Sequence, residues 1–356
     1  MYFRKMMEPP EKLIVNGSPI FGTFEGPISK LDIRGIKHPY GGMPLPKTIS
    51  NFRIKSSLTF MFNIGTHIGN ITFFDAKIFG FAEVVFWDKL TGRKYSYKTI
   101  MGPRRRFIPH NLEQGFCASF NKKRYIRISW DHARDRISMI FNMAGDSARP
   151  SVQAAFTGRF SDSRMCEVTQ NTPIFSKRRC SASYFATPQI HGSLTIDKTK
   201  ITDAQTYTDV EGQGLFFINR SYYAFITEIQ FVTGAGIIDG KQVSFIIANT
   251  PEEAPDAELV NRNILVVDGI CTPLPPVRIT HPLGVTNKWI IQDTENMIDL
   301  TFEPKSNHFR DMSFLVLHTQ MHTIYGNFEG VLKTKDEDTI RLSNFSGVSR
   351  NQLLRL

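Results

Sequence analysis

The sequence is poor in the features that announce an activity. It has no His-Glu-x-x-His, and its four cysteines, Cys117, Cys166, Cys180 and Cys271, show no Cys-x-x-Cys spacing. That scatter argues against a zinc module and for four free buried thiols in a reducing compartment. The opening residues, Met1 to Pro10, lack the apolar run of a secretory signal, and no apolar stretch approaches the ~18 residues of a membrane span. The expectation is a cytoplasmic protein. Gly234-Ala235-Gly236 has no strand-to-helix context for a phosphate loop and reads as a turn. No serine or cysteine has an activating neighbour, so no cofactor, metal or complete catalytic motif is expected.

Phenylalanine, by contrast, is abundant at 29 residues of 356, and it favours strands. Period-2 alternation dominates the chain. Leu58, Phe60, Phe62 and Ile64 take one face, with Thr59, Met61 and Asn63 on the other. Ile126, Ile128 and Trp130 oppose Arg127, Ser129 and Asp131, and Ile298, Leu300 and Phe302 oppose Asp299, Thr301 and Glu303. Asp-Gly turns punctuate these runs at Asp239-Gly240 and Asp268-Gly269. Helix is expected only around 257–263 and from Gly347 to Leu356.

An aromatic-Gly-x-Phe-Glu-Gly segment occurs twice, at Phe21–Gly26 and Tyr325–Gly330. In a strand each glycine admits a bulge or a close neighbouring backbone. The repeat suggests barrels sewn shut by first and last strands. The fold class expected is all-β, two antiparallel barrels in tandem. The polar stretch near 161–177 sets the boundaries: a basic barrel over 1–165, a junction over 166–180 and a second barrel over 181–356.

Charge is divided unevenly. Residues 1–178 hold 28 Lys and Arg against 13 Asp and Glu, a net +15, while residues 179–356 hold 15 against 20, a net −5. Basic triplets stand at Arg104-Arg105-Arg106, Lys122-Lys123-Arg124 and Lys177-Arg178-Arg179, and an acidic stretch runs from Glu252 to Glu258. Such a field steers a protein toward acidic surfaces. The expected partner is an acidic protein lattice of the tubulin-polymer kind, or self-association through the acidic half, with peripheral contact to anionic lipid as a further option. No RNA-binding signature or zinc module accompanies the charge, which argues against nucleic acid. The functional expectation is therefore a non-enzymatic, cytoskeleton-associated structural or adaptor protein. A lipid- or terpenoid-modifying or lipid-carrying barrel is the alternative.

His318-Thr319-Gln320-Met321-His322 would place two imidazoles at metal-binding spacing on a helix, but its context reads as a strand. His318, Gln320 and His322 then form one polar stripe, either facing solvent or lining a barrel.

The order of segments resembles the family known as domain of unknown function 2804. The resemblance rests on Asn16–Gly22, Arg53-Ile54-Lys55, the hairpin Phe86–Gly92, Thr208–Gly214 and Asn263–Gly269. It implies two lipocalin-like barrels akin to carotenoid hydratases. It departs at Ser56-Ser57-Leu58, where the family places tryptophan, and at Tyr222-Tyr223-Ala224-Phe225, where the family places Trp-x-Trp. The resemblance makes Tyr222 and Tyr223 candidate pocket-lining residues. It also makes Asp209 a candidate general acid, if burial raises its pKa. Capping of a glycine turn is the other reading of Asp209.

Overall fold

The computed structural model describes all residues except 1, 43–44, 103–106, 175, 200–202, 252–253, 255, 315–316 and 356, and the side chains at 314 and 317. Among the described residues there are 24 strands and one short helix, Lys47–Phe52. All pairings between the strands are antiparallel. The fold is all-β, as the alternation requires.

The first sheet curls into a near-closed barrel. Its path runs from Lys94–Met101 through Gly80–Asp88, His67–Asp75 and Ile54–Ile64 to the long strand Gln205–Tyr222. It continues through Gln189–Ile196, Val152–Gly158, Arg136–Met143 and Arg124–Asp131 to Gln114–Asn121. Side chains tie its first strand, Lys94–Met101, across to the loop ahead of Val152–Gly158 and to Arg124–Asp131. The Tyr97 hydroxyl donates to the Pro150 carbonyl at 2.6 Å, Arg149 Nη1 to the Ser96 carbonyl at 2.9 Å, and Arg124 to the Lys98 carbonyl. Phe60, Phe62, Phe86, Phe141 and Phe156, all fully buried, fill the interior; Phe62 stacks on Phe156 at 5.4 Å. Each such side chain contributes about 1.5–3 kcal/mol on burial.

Gln205–Tyr222 also pairs, through residues 216–221, with Ser176–Ala186. That strand carries Glu167–Ile174, and then Gly22–Glu25, beyond it. The second sheet starts at Ile226. It runs Ile270–Pro273, Ile264–Val267, Lys241–Ala248, Ile226–Ile238, Thr339–Arg355, Leu317–Lys333, Ile298–Phe314, Trp289–Gln292, Arg278–Thr280, and curls into a half-barrel around Phe245, Trp289, Phe302 and Phe328. The outer faces of the two sheets pack on each other through Met61, Ile68, Trp87, Leu215, Ala235, Val266 and Tyr325.

Several expectations need correction. Residues 166–180 are not a junction between sheets: they lie largely in two strands of the first sheet, and the sheets part at 223–225. Its polar side chains serve the N-terminal segment that lies over them: Asn171 donates to the Ile20 carbonyl at 2.7 Å and Thr169 to the Gly26 carbonyl at 2.8 Å. Residues 347–355 are strand, and 257–259 are turn. The twin segments do not close a barrel. Gly22–Glu25 is a short flanking strand, whereas Tyr325–Gly330 lies inside the second sheet. The glycine argument itself holds in the second copy. The pairing register shifts between Phe328 and Gly330, and a Cβ on Gly326 would stand 2.2 Å from the Glu303 carbonyl oxygen.

Candidate functional site

Where the chain crosses from one sheet to the other, the strand ends diverge and leave a cleft of about 360 Å³. Thr172, Pro173 and Ile174 line one wall, and Ile226 to Gln230 another. Ala248 to Pro251 and Val260 to Arg262 complete it, with Ser221 and Tyr223 at the crossing itself. The lining mixes aliphatic side chains such as Ile174, Ile226, Ile229 and Val260 with about as many polar ones, so it can hold an apolar body and orient polar groups on it.

Two of those polar groups stand out. Tyr223 is buried, yet its hydroxyl makes no hydrogen bond to a described residue. Burial pushes its phenol above the ordinary value, against the opposing charges of Arg262 and Arg350, so it stays protonated. Arg262 is half-buried, and its Nε donates to Thr172 Oγ1 at 3.3 Å. Burial lowers the guanidinium from its ordinary value while Tyr223 and Cys180 act in the opposite sense. No carboxylate pairs with Arg262 among the described residues. Glu228 supplies a carboxylate to the lining and accepts from Gln230 Nε2 at 2.8 Å. The cleft thus joins a neutral proton donor, a cation with no carboxylate partner among the described residues and an exposed carboxylate in one mixed lining. That set can bind a carbonyl or hydroxyl oxygen and stabilise negative charge developing on it.

Of the sequence candidates, Tyr223 lines this cleft. Tyr222 points the other way, into the first barrel, where its hydroxyl donates to the Ile33 carbonyl at 3.1 Å. Asp209 sits exposed at a bulge, with φ +54°, outside any apolar cavity. Asp tolerates that left-handed conformation better than most residues. His318, Gln320 and His322 share one face of Leu317–Lys333, partly exposed, and bond to the neighbouring strand. Ser313 Oγ lies 2.7 Å from His318 Nδ1, Gln320 donates to Asp311 at 3.2 Å, and Asn307 lies 3.0 Å from His322 Nδ1. No group of three or more potential metal ligands assembles among the described residues. Arg262 escaped the sequence reading. It stands alone ahead of the apolar run that starts at Ile264, and only the second sheet brings it to Tyr223.

Residues 4–355 match the model of the family described as Domain of unknown function (DUF2804). The chain belongs to that family. No curated protein matches it. Among solved structures, the chain is similar to CghA with Sch210972 at 12% identity and TM-score 0.48, covering 98% of each chain. It is also similar to kievitone hydratase from Nectria haematococca at 9% identity and TM-score 0.46, covering 94% of this chain and 98% of that one.

The expectation of a non-enzymatic, cytoskeletal adaptor docking through one basic face needs correction. The physical reason lies in where the basic groups go. Lys177 pairs with Asp256 of the chain's own acidic stretch at 2.7 Å, Arg124 is bonded to the Lys98 carbonyl, and Arg179 stacks on Tyr40. Lys122 and Lys123 are exposed at a hairpin turn, Arg178 is exposed on a strand, and Arg104, Arg105 and Arg106 lie outside the described residues. The triplets therefore do not form one docking face among the described residues. No helix among these residues is long and apolar enough to cross a membrane.

Proposed function

We propose that this protein is a lipid- or terpenoid-modifying enzyme of the hydratase or isomerase type, working in the cleft at the sheet crossing. The observation that carries this reading is that a buried Tyr223 phenol, uncommitted among the described residues, and an Arg262 guanidinium with no carboxylate partner among them line one cleft. Tyr223 donates a hydrogen bond to the oxygen of an unsaturated carbonyl substrate, and Arg262 stabilises the enolate-like charge that develops there. Glu228 accepts the proton of an attacking water or of an acidic carbon. In hydration the water oxygen bonds to the β-carbon and Glu228 hands the water's proton to the α-carbon as the enolate collapses; in isomerisation Glu228 returns the proton taken from one carbon to a different carbon. Burial of Tyr223 and partial burial of Arg262 strengthen both electrostatic contacts relative to bulk water.

The test is incubation of the native protein with a panel of isoprenoid enones and enals in heavy-oxygen water and, separately, in D2O. Incorporation of heavy oxygen or carbon-bound deuterium that is lost in Tyr223→Phe and Arg262→Met supports the reading. No incorporation into any panel member, or incorporation unaffected by both variants, would overturn it.

A further inference from the structure

The edge strand of the first barrel presents a strip of apolar side chains to solvent. Gln114–Asn121 pairs with Arg124–Asp131 on one side and with no described strand on the other. Cys117 and Ser119 are buried, so Phe116, Ala118 and Phe120 share the outer face. Phe116 is 60% exposed and Phe120 71%. Large apolar side chains left in water forgo the gain of burial, and a bare apolar edge invites something to cover it.

Basic groups surround this strip. Lys122 and Lys123 occupy the turn after Phe120, where the Lys123 amide donates to Asn121 Oδ1 at 2.9 Å. Arg127 stands opposite Ala118 in register, and its guanidinium lies 5.4 Å from the centre of the Phe116 ring. An open groove of about 490 Å³ passes Phe116, with Arg127, Arg134 and Arg136 along it. The carboxylate in that groove, Asp131, is already engaged. It accepts from Gln114 Nε2 and from the Arg134 amide, each at 3.1 Å, and lies 3.7 Å from Arg134 Nε. Asp131 and Glu113 also sit at the end of the hairpin away from Lys122 and Lys123. No ion pair engages Lys122, Lys123, Arg127 or Arg136 among the described residues.

Exposed rings beside unpaired cations match the two halves of an anionic lipid surface, charged at the headgroups and apolar just beneath them. Single-stranded nucleic acid fits less well. Phe116 and Phe120 stand about 13 Å apart along the strand with Ala118 between them, which makes an apolar ridge and not a ladder for successive bases.

We propose that the hairpin Gln114–Asp131 docks this protein on an anionic lipid bilayer. Phe116 and Phe120 enter the interface, and Lys122, Lys123 and Arg127 meet the headgroups. This surface shares no lining residue with the cleft, so the proposal stands apart from the reaction proposed there.

The experiment is co-sedimentation of the full chain with vesicles of phosphatidylcholine, alone or with about a third phosphatidylserine. The native protein should bind the anionic vesicles about a hundredfold more tightly, because each of three basic residues contributes about fivefold beside such a surface. Raising salt from about 0.1 M to about 1 M should remove most of that margin. Lys122→Glu with Lys123→Glu and Arg127→Glu should abolish it. Phe116→Ser with Phe120→Ser should weaken binding to the anionic vesicles by at least about tenfold. Phe120→Trp should keep binding, and brominated lipid should quench its indole beyond any effect on the three buried tryptophans of the native protein. Equal binding to both kinds of vesicle, or an anionic preference that survives the charge reversals, would overturn the proposal. So would serine variants that bind like the native protein while the Phe120→Trp indole stays unquenched. Tighter binding of a thymidine oligonucleotide than of anionic vesicles would assign the face to nucleic acid. A dimer that Phe116→Ser with Phe120→Ser dissolves would assign it to a second copy of the chain, and either result overturns the membrane assignment.

Discussion

Glu83 and Arg310 form a buried ion pair, Oε2 to Nη1 2.6 Å, that joins Gly80–Asp88 of the first sheet to Ile298–Phe314 of the second. His308 Nε2 holds the other carboxylate oxygen at 3.1 Å, and the Arg310 guanidinium lies 4.0 Å from the centre of the Phe81 ring. Burial alone would push the Glu83 carboxyl up. The charge of Arg310, the hydrogen bond and charge of His308, and Lys98 overcome it and bring the value down to about 2.

Removing one member leaves the other charged and buried. Glu83→Gln should therefore cost about 3–5 kcal/mol, read as a fall in the urea midpoint. Glu83→Leu with Arg310→Met should recover most of that loss, because an apolar pair carries no uncompensated charge. Since the folded value is depressed, the stability from Glu83 is fully present above its unfolded value near 4.5 and is lost as pH falls toward 2. A Glu83→Gln loss below about 1 kcal/mol would mean that solvent screens the pair as it does at a surface.

A second acid transition should begin earlier. Burial drives the His67 imidazole down to about 4, with Asp88 opposing and Lys89 assisting. Burial and then Arg220 bring His110 to about 4 as well, with Asp32 acting against them. Both are neutral in the fold and take up a proton on unfolding below about 6.5. Stability should thus fall as pH drops from about 6.5 to about 4, by up to about 1.4 kcal/mol per pH unit for each histidine. Urea midpoints measured across that window should show the slope, and His67→Phe should remove its share. A flat profile for the unsubstituted protein would refute the assignment.

The glycine of the repeated motif is open to a direct test. Gly330 has φ +128°, and a Cβ there would stand 2.1 Å from the Asp299 carbonyl oxygen. Gly330→Ala should cost at least about 1–3 kcal/mol, because neither the dihedral nor the neighbouring backbone can yield cheaply. Gly26 closes the first copy at φ +83° with open space around its Cβ position, so Gly26→Ala meets strain without the clash and should cost less. Thermal melts of the two variants side by side make the comparison.

Alternation along the chain made the inner faces legible. Leu58, Phe60, Phe62 and Ile64 are all buried in the first barrel. The outer faces were harder to read, because polar residues there do not all meet water. Thr59, Met61 and Asn63 are also buried, since the second sheet covers them, and Asn63 Nδ2 donates to the Ala235 carbonyl at 2.6 Å. The same effect hid the boundary: Gln205–Tyr222 pairs with three different strands, a sharing that no local pattern records. Residues 347–355 resemble a helix end in their mix of apolar and charged groups, but their pairing with both Ile226–Ile238 and Leu317–Lys333 fixes them as strand. The cleft was legible only in part. Tyr223 lies in the Tyr222–Phe225 run that the family resemblance singled out, whereas Arg262 has no local signature and reaches the cleft through the fold of the second sheet.

The adjacent tyrosines separate structure from chemistry. Tyr222 and Tyr223 are both buried, yet the Tyr222 hydroxyl is bonded to Ile33 within the first barrel while that of Tyr223 is uncommitted in the cleft. Tyr222→Phe should orphan the Ile33 carbonyl, cost about 1 kcal/mol of stability and leave turnover of an accepted enone nearly unchanged. Tyr223→Phe should leave the melting curve in place and lower turnover by about a hundredfold, the loss expected for one donor to a developing oxyanion. Activity near neutral pH should also be insensitive to small pH changes, because burial keeps the Tyr223 phenol above its ordinary value and so protonated throughout that range. If Tyr222→Phe abolished turnover and Tyr223→Phe did not, the chemistry would belong to the barrel interior and not to the crossing.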